Sequence, residues 1–272
     1  MTSRAERRIE RALPWPALAL AVFAIVFFAL PLAGLIVRAP WSDVATILRG
    51  RGVRQALTLS IVCSLCATVV SVILGLPLAW LLARKRFVGR SVVRALCTLS
   101  MVLPPVVGGV ALLFALGRRG LVGQYLDRWF DIRLPFTSAG VVIAQTFVAM
   151  PFFVVTVEAA LRQTHAGHDD AARTLGAGTW YSFRRVTLPT IRPALIAGAV
   201  LSWARAFGEF GATITFAGSF PGKTQTLPLS VYLTLDTDPK QALVLALLMV
   251  AVSFAVLVAL RDRWLGAGER TT

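Results

Sequence analysis

The sequence predicts an all-α membrane protein with six transmembrane helices and a cytoplasmic tab between helices four and five. Composition gives the first reason, because 57% of the 272 residues are hydrophobic and only 15% are charged. The mean hydropathy of +0.73 places the chain in the membrane class rather than among soluble globular proteins. Distribution gives the second reason, because the apolar residues gather in six blocks that suit a bilayer core of roughly 30 Å.

Each predicted span is an apolar block bounded by charged or turn-forming residues. The first block is too long for the core of a signal peptide and lacks a small-residue cleavage site, so it counts as a span. We expect one transmembrane domain over residues 14–264, with a cytoplasmic tail at 1–13 and another at 265–272. The six predicted spans cover residues 14–37, 57–83, 92–116, 139–161, 191–217 and 242–260.

The distribution of Lys and Arg predicts the orientation of these spans. With the N-terminus inside, the cytoplasmic loops carry 17 Lys and Arg residues and the outer loops carry 10. Cytoplasmic loops are enriched in positive charge, so both termini are predicted to lie in the cytoplasm. The protein itself is predicted to lie in the cell (cytoplasmic or inner) membrane. The net charge of +15 is divided among short runs at span ends, which argues against nucleic-acid binding.

The sequence has no pattern typical of an enzyme or of a resident metal. Cys63 and Cys66 form a C-x-x-C within an apolar span, but no second pair or histidine cluster accompanies them, so small packing residues are the favoured interpretation. His165 and His168 are read as solvated loop residues. No catalytic triad, carboxylate pair or phosphate-binding glycine loop occurs within the spans. We therefore expect no catalysis, no cofactor and no metal.

The third span is interrupted by Pro104 and Pro105, followed by Gly108 and Gly109. Such residues free backbone polar groups, which a membrane protein tolerates only where protein or a water-filled cavity surrounds them. A plain structural kink and a bend that lines a pore both remain open.

The fifth span carries two charges, Arg205 and Glu209. Their i, i+4 spacing predicts one face of a helix, and a lone charge in hydrocarbon is costly, so we expect an ion pair. Two interpretations remain open: an internal pair that fixes helix packing, and a pair that borders a path through the membrane. Because like charges repel, an anion would meet Arg205, Gly208, Gly211 and Thr213 rather than Glu209.

Residues 218–229 follow the fifth span as a turn-rich, hydroxyl-rich loop on the predicted outer side. Its donors are suited either to binding an oxyanion or to satisfying the backbone of a re-entrant segment.

The stretch between spans four and five has the features of a folded tab rather than of a simple connection. Asp169 or Asp170 is placed to cap a short helix, and Gly176 ends that helix. Trp180 and Phe183, three residues apart, are predicted to share one face of a second helical run.

This tab resembles the coupling motif of binding-protein-dependent ABC transporter permeases. The motif is E-A-A, three residues, G, nine residues, and I-x-L-P, and here it reads Asp170-Ala171-Ala172, Gly176, and Val186-Thr187-Leu188-Pro189. Asp170 for Glu and Val186 for Ile are mild departures, although the shorter acid alters the reach to a partner. In that family the segment docks on an ATP-hydrolysing subunit. The resemblance implies coupling roles for Asp170, Ala171, Ala172, Gly176, Trp180, Phe183, Leu188 and Pro189.

A narrower resemblance concerns the cargo. The segments RAFGEFGAT from Arg205 and FPGKTQTLPL from Phe220 are similar to those of molybdate permeases, with sulfate permeases less close. This resemblance implies an importer of a tetrahedral oxyanion, with molybdate first and tungstate or sulfate as alternatives. It also implies cytoplasmic ATP-binding subunits, an extracytoplasmic binding protein and a second permease copy. The implied path residues are Pro104, Pro105, Arg205, Gly208, Glu209, Gly211 and Thr213.

The rival class is a secondary carrier driven by an ion gradient. Such carriers often contain inverted repeats and several midplane acids. The sequence has no convincing internal repeat, and Glu209 is the only deep acid predicted within a span. The ABC permease is therefore the favoured class.

Overall fold

A computed structural model describes residues 14–163 and 178–265, and the regular structure within these ranges is entirely helical. The predicted coupling residues Asp170, Ala171, Ala172 and Gly176 lie outside the described residues. The helices are α1 (Trp15–Arg38), α2 (Val44–Arg49), α3 (Arg51–Arg84), α4 (Arg90–Val102), α5 (Pro105–Leu116), α6 (Gly123–Phe130), α7 (Ser138–Gln163), α8 (Thr179–Ser182), α9 (Leu188–Thr190), α10 (Arg192–Phe207), α11 (Gly211–Ala217), α12 (Leu227–Thr234) and α13 (Pro239–Leu265), and a π-helical turn (Phe183–Thr187) joins α8 to α9.

Four described helices are individually long and apolar enough to cross a bilayer: α1, α3, α7 and α13. Predicted spans three and five are each divided into two helices, at Leu103-Pro104 and at residues 208–210. The multi-pass all-α class is therefore confirmed, whereas the count of six spans stays a prediction.

The core lies where α3, α7 and α10 meet. The buried face of α3 repeats every three or four residues and consists mainly of small side chains, among them Ala67, Ser71, Gly75 and Ala79. Small residues allow helices to approach closely where lipid supplies no hydrophobic driving force. A Cβ atom at Gly75 would lie 2.8 Å from the ring of Phe153, so this fully buried ring of α7 fits directly against α3.

Helices α3 and α7 run in the same direction. At their starts, Ser138 donates a hydrogen bond to the carbonyl of Lys223 at 2.7 Å, and the neighbouring Gly222 lies against Gln55. At their ends, Arg94 contacts both the Glu158 carboxylate of α7 and the Leu82 carbonyl of α3. We call these the Gly222 end and the Leu82 end. Parallel spans two and four agree with the predicted alternation of the chain across the membrane.

Helix α1 buries none of its residues against the described chain, although it is apolar throughout. A helix that is hydrophobic on every face is suited to lipid or to another membrane chain. This exposure is consistent with a protein whose solvent is the bilayer.

Candidate functional site

The break predicted from the prolines of span three lies against a second break, in span five, that was not predicted. Helix α4 ends at Val102 and α5 begins at Pro105, while α10 ends before Gly208 and α11 begins at Gly211. A Cβ atom at Gly211 would lie 2.9 Å from the Cβ of Pro105, and one at Gly109 would lie 2.8 Å from a backbone oxygen of α11. The backbones are therefore in direct contact, which only glycine at these positions permits.

Arg205 and Glu209 form an ion pair beside this contact, with Nη1 and Oε2 2.6 Å apart. The expectation that both residues lie on one helix is wrong, because α10 ends at Phe207. Glu209 lies within the break, where its Oε1 accepts a hydrogen bond from the Ala212 N–H at 2.8 Å. One carboxylate therefore neutralises Arg205 and also satisfies a free donor at the start of α11.

The burial of the pair is unequal, since the Glu209 side chain is 1% exposed and the Arg205 side chain is 26% exposed. Oε1 of Glu209 accepts a hydrogen bond and Oε2 faces Arg205 in the ion pair, so its geometry is that of an internal pair. The half-buried guanidinium keeps part of its surface open. That the pair borders a path through the membrane stays a prediction.

The other residues predicted to line the path divide by exposure. Pro104 and Gly208 are exposed, and Pro105 is half-buried. Gly211 and Thr213 are buried inside the described chain. Among the predicted path residues, Pro104, Gly208 and part of Arg205 thus contribute to the open surface at the breaks, while Gly211 serves the contact between the two breaks.

Some backbone groups of the loop after α11 are satisfied by hydroxyls, whereas the Ser219 and Thr226 hydroxyls are themselves buried without a hydrogen-bond partner in the described chain. The Thr224 hydroxyl accepts from the Phe220 N–H at 2.9 Å, and the Leu227 N–H donates to the Ser60 hydroxyl at 2.7 Å. The second of the two interpretations, satisfaction of a re-entrant backbone, therefore describes these groups. The loop is also shorter than expected, because α12 begins at Leu227.

The described part of the predicted coupling tab packs its aromatic face onto α3. Trp180 and Phe183 stack with ring centroids 5.8 Å apart, which confirms that they share one face, and Phe183 meets Trp80 edge to face at 6.3 Å. Trp180 remains 71% exposed. The segment Trp180–Thr190 meets α10 at an angle of 70°, so it projects from the span that it precedes.

A buried acid at the Leu82 end was missed by the sequence reasoning. The Glu158 side chain is 8% exposed and its Oε1 lies 2.6 Å from both Arg94 and Arg162. Arg90 donates two hydrogen bonds to the Leu82 carbonyl, at 2.9 and 2.6 Å. These contacts tie α3, α4 and α7 together just before the chain enters the tab. The i, i+4 spacing of Glu158 and Arg162 was the available signal.

Replacing Glu158 with glutamine is expected to lower the thermal unfolding midpoint of the purified protein. The amide cannot neutralise two arginines, and since both are more than a third exposed, water limits the loss to about 1–2 kcal/mol. Differential scanning fluorimetry in detergent measures the shift. Arg162→Gln is the matched control, because it leaves the Arg94 contact intact. A larger loss in the control than in Glu158→Gln would contradict the central role of the acid.

Helix α6, at the Gly222 end, carries a second charged cluster. Asp127 lies 2.7 Å from Arg133 and 2.9 Å from Arg118. Hydrogen bonds from Arg133 and then Arg118 hold the pKa of the Asp127 carboxyl below its usual range. These ion pairs hold the segment that connects α5 to α7. Tyr125 and Trp129 of α6 pack together on its exposed side.

Comparison with known proteins identifies the family that this chain matches and its similar sequences. Residues 71–270 match the family described as binding-protein-dependent transport system inner membrane component. The chain is 46% identical over 253 residues to the molybdenum transport system permease protein ModB of Mycobacterium tuberculosis, covering 92% of each. It is 34% identical over 253 residues to the sulfate transport system permease protein CysT of Escherichia coli, covering 92% of this chain and 91% of that protein.

A solved structure shares the fold. A bacterial ABC transporter involved in the import of the acidic polysaccharide alginate superimposes with a TM-score of 0.73 at 16% identity, covering 95% of this chain and 96% of that one. The family match extends over more than half of the chain, and the related sequences are transport components rather than enzymes. The chain therefore belongs to the family of binding-protein-dependent transport system inner membrane components.

Proposed function

We propose that this protein is the permease subunit of an ATP-driven importer that carries a tetrahedral oxyanion, molybdate, into the cell. The observation that carries the proposal is the 46% identity to a molybdenum transport system permease over 92% of the chain. The sulfate transport relative is more distant, at 34% over the same share of the chain. Sulfate and tungstate are the competing cargoes, since all three are divalent tetrahedral anions.

The contact between the two breaks is the proposed lining of the path. It joins α5 to α11 where helices are interrupted, and backbone interrupted at membrane depth is typical of protein that surrounds a polar cavity. Arg205 offers a half-buried positive charge there, held in place by Glu209. An oxyanion passing Pro104 and Gly208 would meet this guanidinium, whereas the buried carboxylate is turned toward Arg205 and α11.

The proposed machine contains two copies of this chain, two cytoplasmic ATP-binding subunits and an extracytoplasmic binding protein. The Lys and Arg distribution supports cytoplasmic tails at 1–13 and 265–272 around a transmembrane domain at 14–264. In this orientation the Leu82 end and the coupling segment 169–189 face the ATP-binding subunits. The Gly222 end then faces the binding protein.

The function is tested with the permease co-purified with its ATP-binding subunits and reconstituted in vesicles with the binding protein. We expect molybdate uptake that requires ATP and the binding protein and that excess tungstate inhibits more strongly than excess sulfate. Uptake of sulfate in preference to molybdate would reassign the cargo. Uptake without the ATP-binding subunits would instead indicate a secondary carrier.

Replacing Gly176 with leucine is expected to uncouple ATP hydrolysis from uptake. In the coupling motif this glycine separates the two helical runs, and a bulky side chain there would obstruct docking on the ATP-binding subunit. Hydrolysis and uptake are measured in the same vesicles, with Gly178→Leu as the control at a position whose residue the motif does not specify. Normal uptake in the Gly176 variant, with the complex intact, would show that the coupling assignment is wrong.

A further inference from the structure

A cavity of about 750 Å³ opens at the Gly222 end, at the corner between α2 and α3. Its lining includes the polar side chains of Arg49, Arg51, Arg54, Gln55 and Thr58, together with Gly222. The three arginines entered the sequence reasoning only as charges that orient the chain, and the path residues discussed above do not line the cavity.

The charges in this cavity have one sign. Within residues 14–163 and 178–265, none of Arg49, Arg51 and Arg54 forms an ion pair. The acid nearest in sequence, Asp43, is engaged by Lys240 at 3.3 Å. Three positive charges around one concave surface repel each other and concentrate a positive potential there. A bound anion would relieve this repulsion.

The cavity follows one face of α3 away from its mouth. Arg51, Gln55, Thr58 and Val62 are spaced at helical intervals, so the lining extends ~16 Å along the helix at 1.5 Å per residue. In order along the chain, the arginines come first, the Gln55 amide and Thr58 hydroxyl follow, and Leu59 and Val62 lie furthest along α3. Neutral hydrogen-bond donors next to these charges suit a small ion that enters the groove, whereas a broad protein surface would reach the arginines alone.

Gly222 lies against the amide of Gln55 in the wall of the cavity. The glycine has φ +73°, and a Cβ atom there would lie 3.4 Å from the Gln55 Oε1. This distance is ordinary contact, whereas the positive φ would strain any larger residue at this position. The first turn of α3 adds unpaired backbone donors, because its N-cap is Gly50, which supplies no side-chain acceptor.

We propose that this cavity is an anion-binding entry site, in which Arg49, Arg51 and Arg54 take up a free divalent tetrahedral oxyanion before it reaches the breaks near Arg205. The inference rests on the proposed function for the identity of the oxyanion and for the outward orientation of the Gly222 end. The chemistry shared by candidate occupants is a tetrahedral oxyanion, supplied either by free molybdate or by the phosphate of a lipid headgroup.

The test is equilibrium binding of radiolabelled molybdate to the purified permease–ATPase complex in lipid nanodiscs, without the binding protein. We expect saturable binding at low ionic strength that added chloride weakens, because salt screens the arginines. Each of Arg49→Gln, Arg51→Gln and Arg54→Gln should weaken binding about tenfold through the loss of a charge-assisted contact, and the triple variant should bind nothing. Arg51→Lys should retain part of the affinity.

Arg128→Gln is the matched control, since it removes an exposed positive charge from α6, at the same end but outside the cavity. Its binding curve should coincide with that of the unaltered protein. Equal molybdate binding by the triple variant and the unaltered protein would overturn the proposal. Monodisperse complexes of each variant on size exclusion show that the assembly is intact.

Two further arms separate the alternative occupants. Nanodiscs of phosphatidylcholine alone are compared with nanodiscs that also contain phosphatidylglycerol, and loss of molybdate binding in the latter would assign the cavity to lipid phosphate. Affinity for the loaded binding protein is measured on the same complexes. A triple variant that loses this affinity yet binds molybdate normally would make the cavity a docking surface and overturn the proposal.

Failure of this inference is distinguishable from failure of the proposed function. Uptake of molybdate by the full complex tests the function, whereas binding without the binding protein tests the cavity. If the complex imports molybdate and the triple variant binds molybdate as tightly as the unaltered protein, the proposed function stands and the entry site is overturned. A complex that imports another oxyanion, and binds that oxyanion through the three arginines, would retain the site and reassign the cargo.

Discussion

Gly211→Ala is expected to destabilise the protein and abolish uptake, although it adds a single methyl group. That methyl would lie 2.9 Å from the Cβ of Pro105 and 3.0 Å from the backbone nitrogen of Val106. Neither atom belongs to the end of a flexible side chain, so α5 and α11 must move apart. Overpacking of this kind typically costs about 1–3 kcal/mol, and here it separates the two breaks that we propose line the path. Fluorimetry of the purified complex and vesicle uptake measure the two effects.

The matched control for this prediction is Gly208→Ala, the same substitution in the same break. A Cβ atom at Gly208 would meet only the Ala204 carbonyl, at 3.6 Å, which is ordinary contact. The backbone of Gly208 has φ −85°, which alanine adopts without strain. We therefore expect near-normal stability in the control. Equal behaviour of the two variants would show that the close approach of α5 and α11 is not required.

The break in span three was predictable because proline acts locally. Pro104 and Pro105 cannot continue the hydrogen-bonding ladder of a helix, so an interruption of span three followed from the sequence. The end of α10 at Phe207 was not foreseen, since the i, i+4 spacing of Arg205 and Glu209 is equally consistent with a continuous helix. Glu209 ends up in the break because its carboxylate caps α11.

Contacts between distant segments were beyond the reach of sequence patterns. Nothing in the order of residues states that Gly109 meets α11 or that Glu158 binds Arg94, 64 positions earlier. The arginines at 49, 51 and 54 were counted for orientation, yet their gathering around one cavity depends on the corner between α2 and α3. Local chemistry thus predicted the multi-pass helical class and the interruption of span three, while the break in span five and the arrangement of charges required the packed helices.

Arg205→Met is expected to be among the most destabilising single changes in the chain, and more so than Glu209→Gln. Removing the arginine leaves a carboxylate that is 1% exposed without its counter-charge, and breaking a buried pair in this way costs roughly 3–5 kcal/mol. In Glu209→Gln the amide oxygen can still accept from the Ala212 N–H, and the remaining arginine is 26% exposed. Water can therefore solvate the charge that is left.

The double variant Arg205→Met with Glu209→Gln tests the origin of this difference. It contains no unpaired buried charge, so its unfolding midpoint should lie above that of Arg205→Met alone, a non-additivity expected of groups in direct contact. A double variant that is less stable than either single variant would exclude an uncompensated carboxylate as the cause.

Arg205→Lys separates the internal-pair interpretation from the path interpretation. Lysine preserves the charge opposite Glu209, so Arg205→Lys should keep most of the stability that Arg205→Met loses. It does not preserve the planar guanidinium, which offers several fixed donors to an oxyanion. If the pair only fixed helix packing, uptake would recover together with the unfolding midpoint. We expect the midpoint to recover while molybdate uptake stays reduced, because the half-open face of Arg205 is proposed to meet the anion as it passes the breaks.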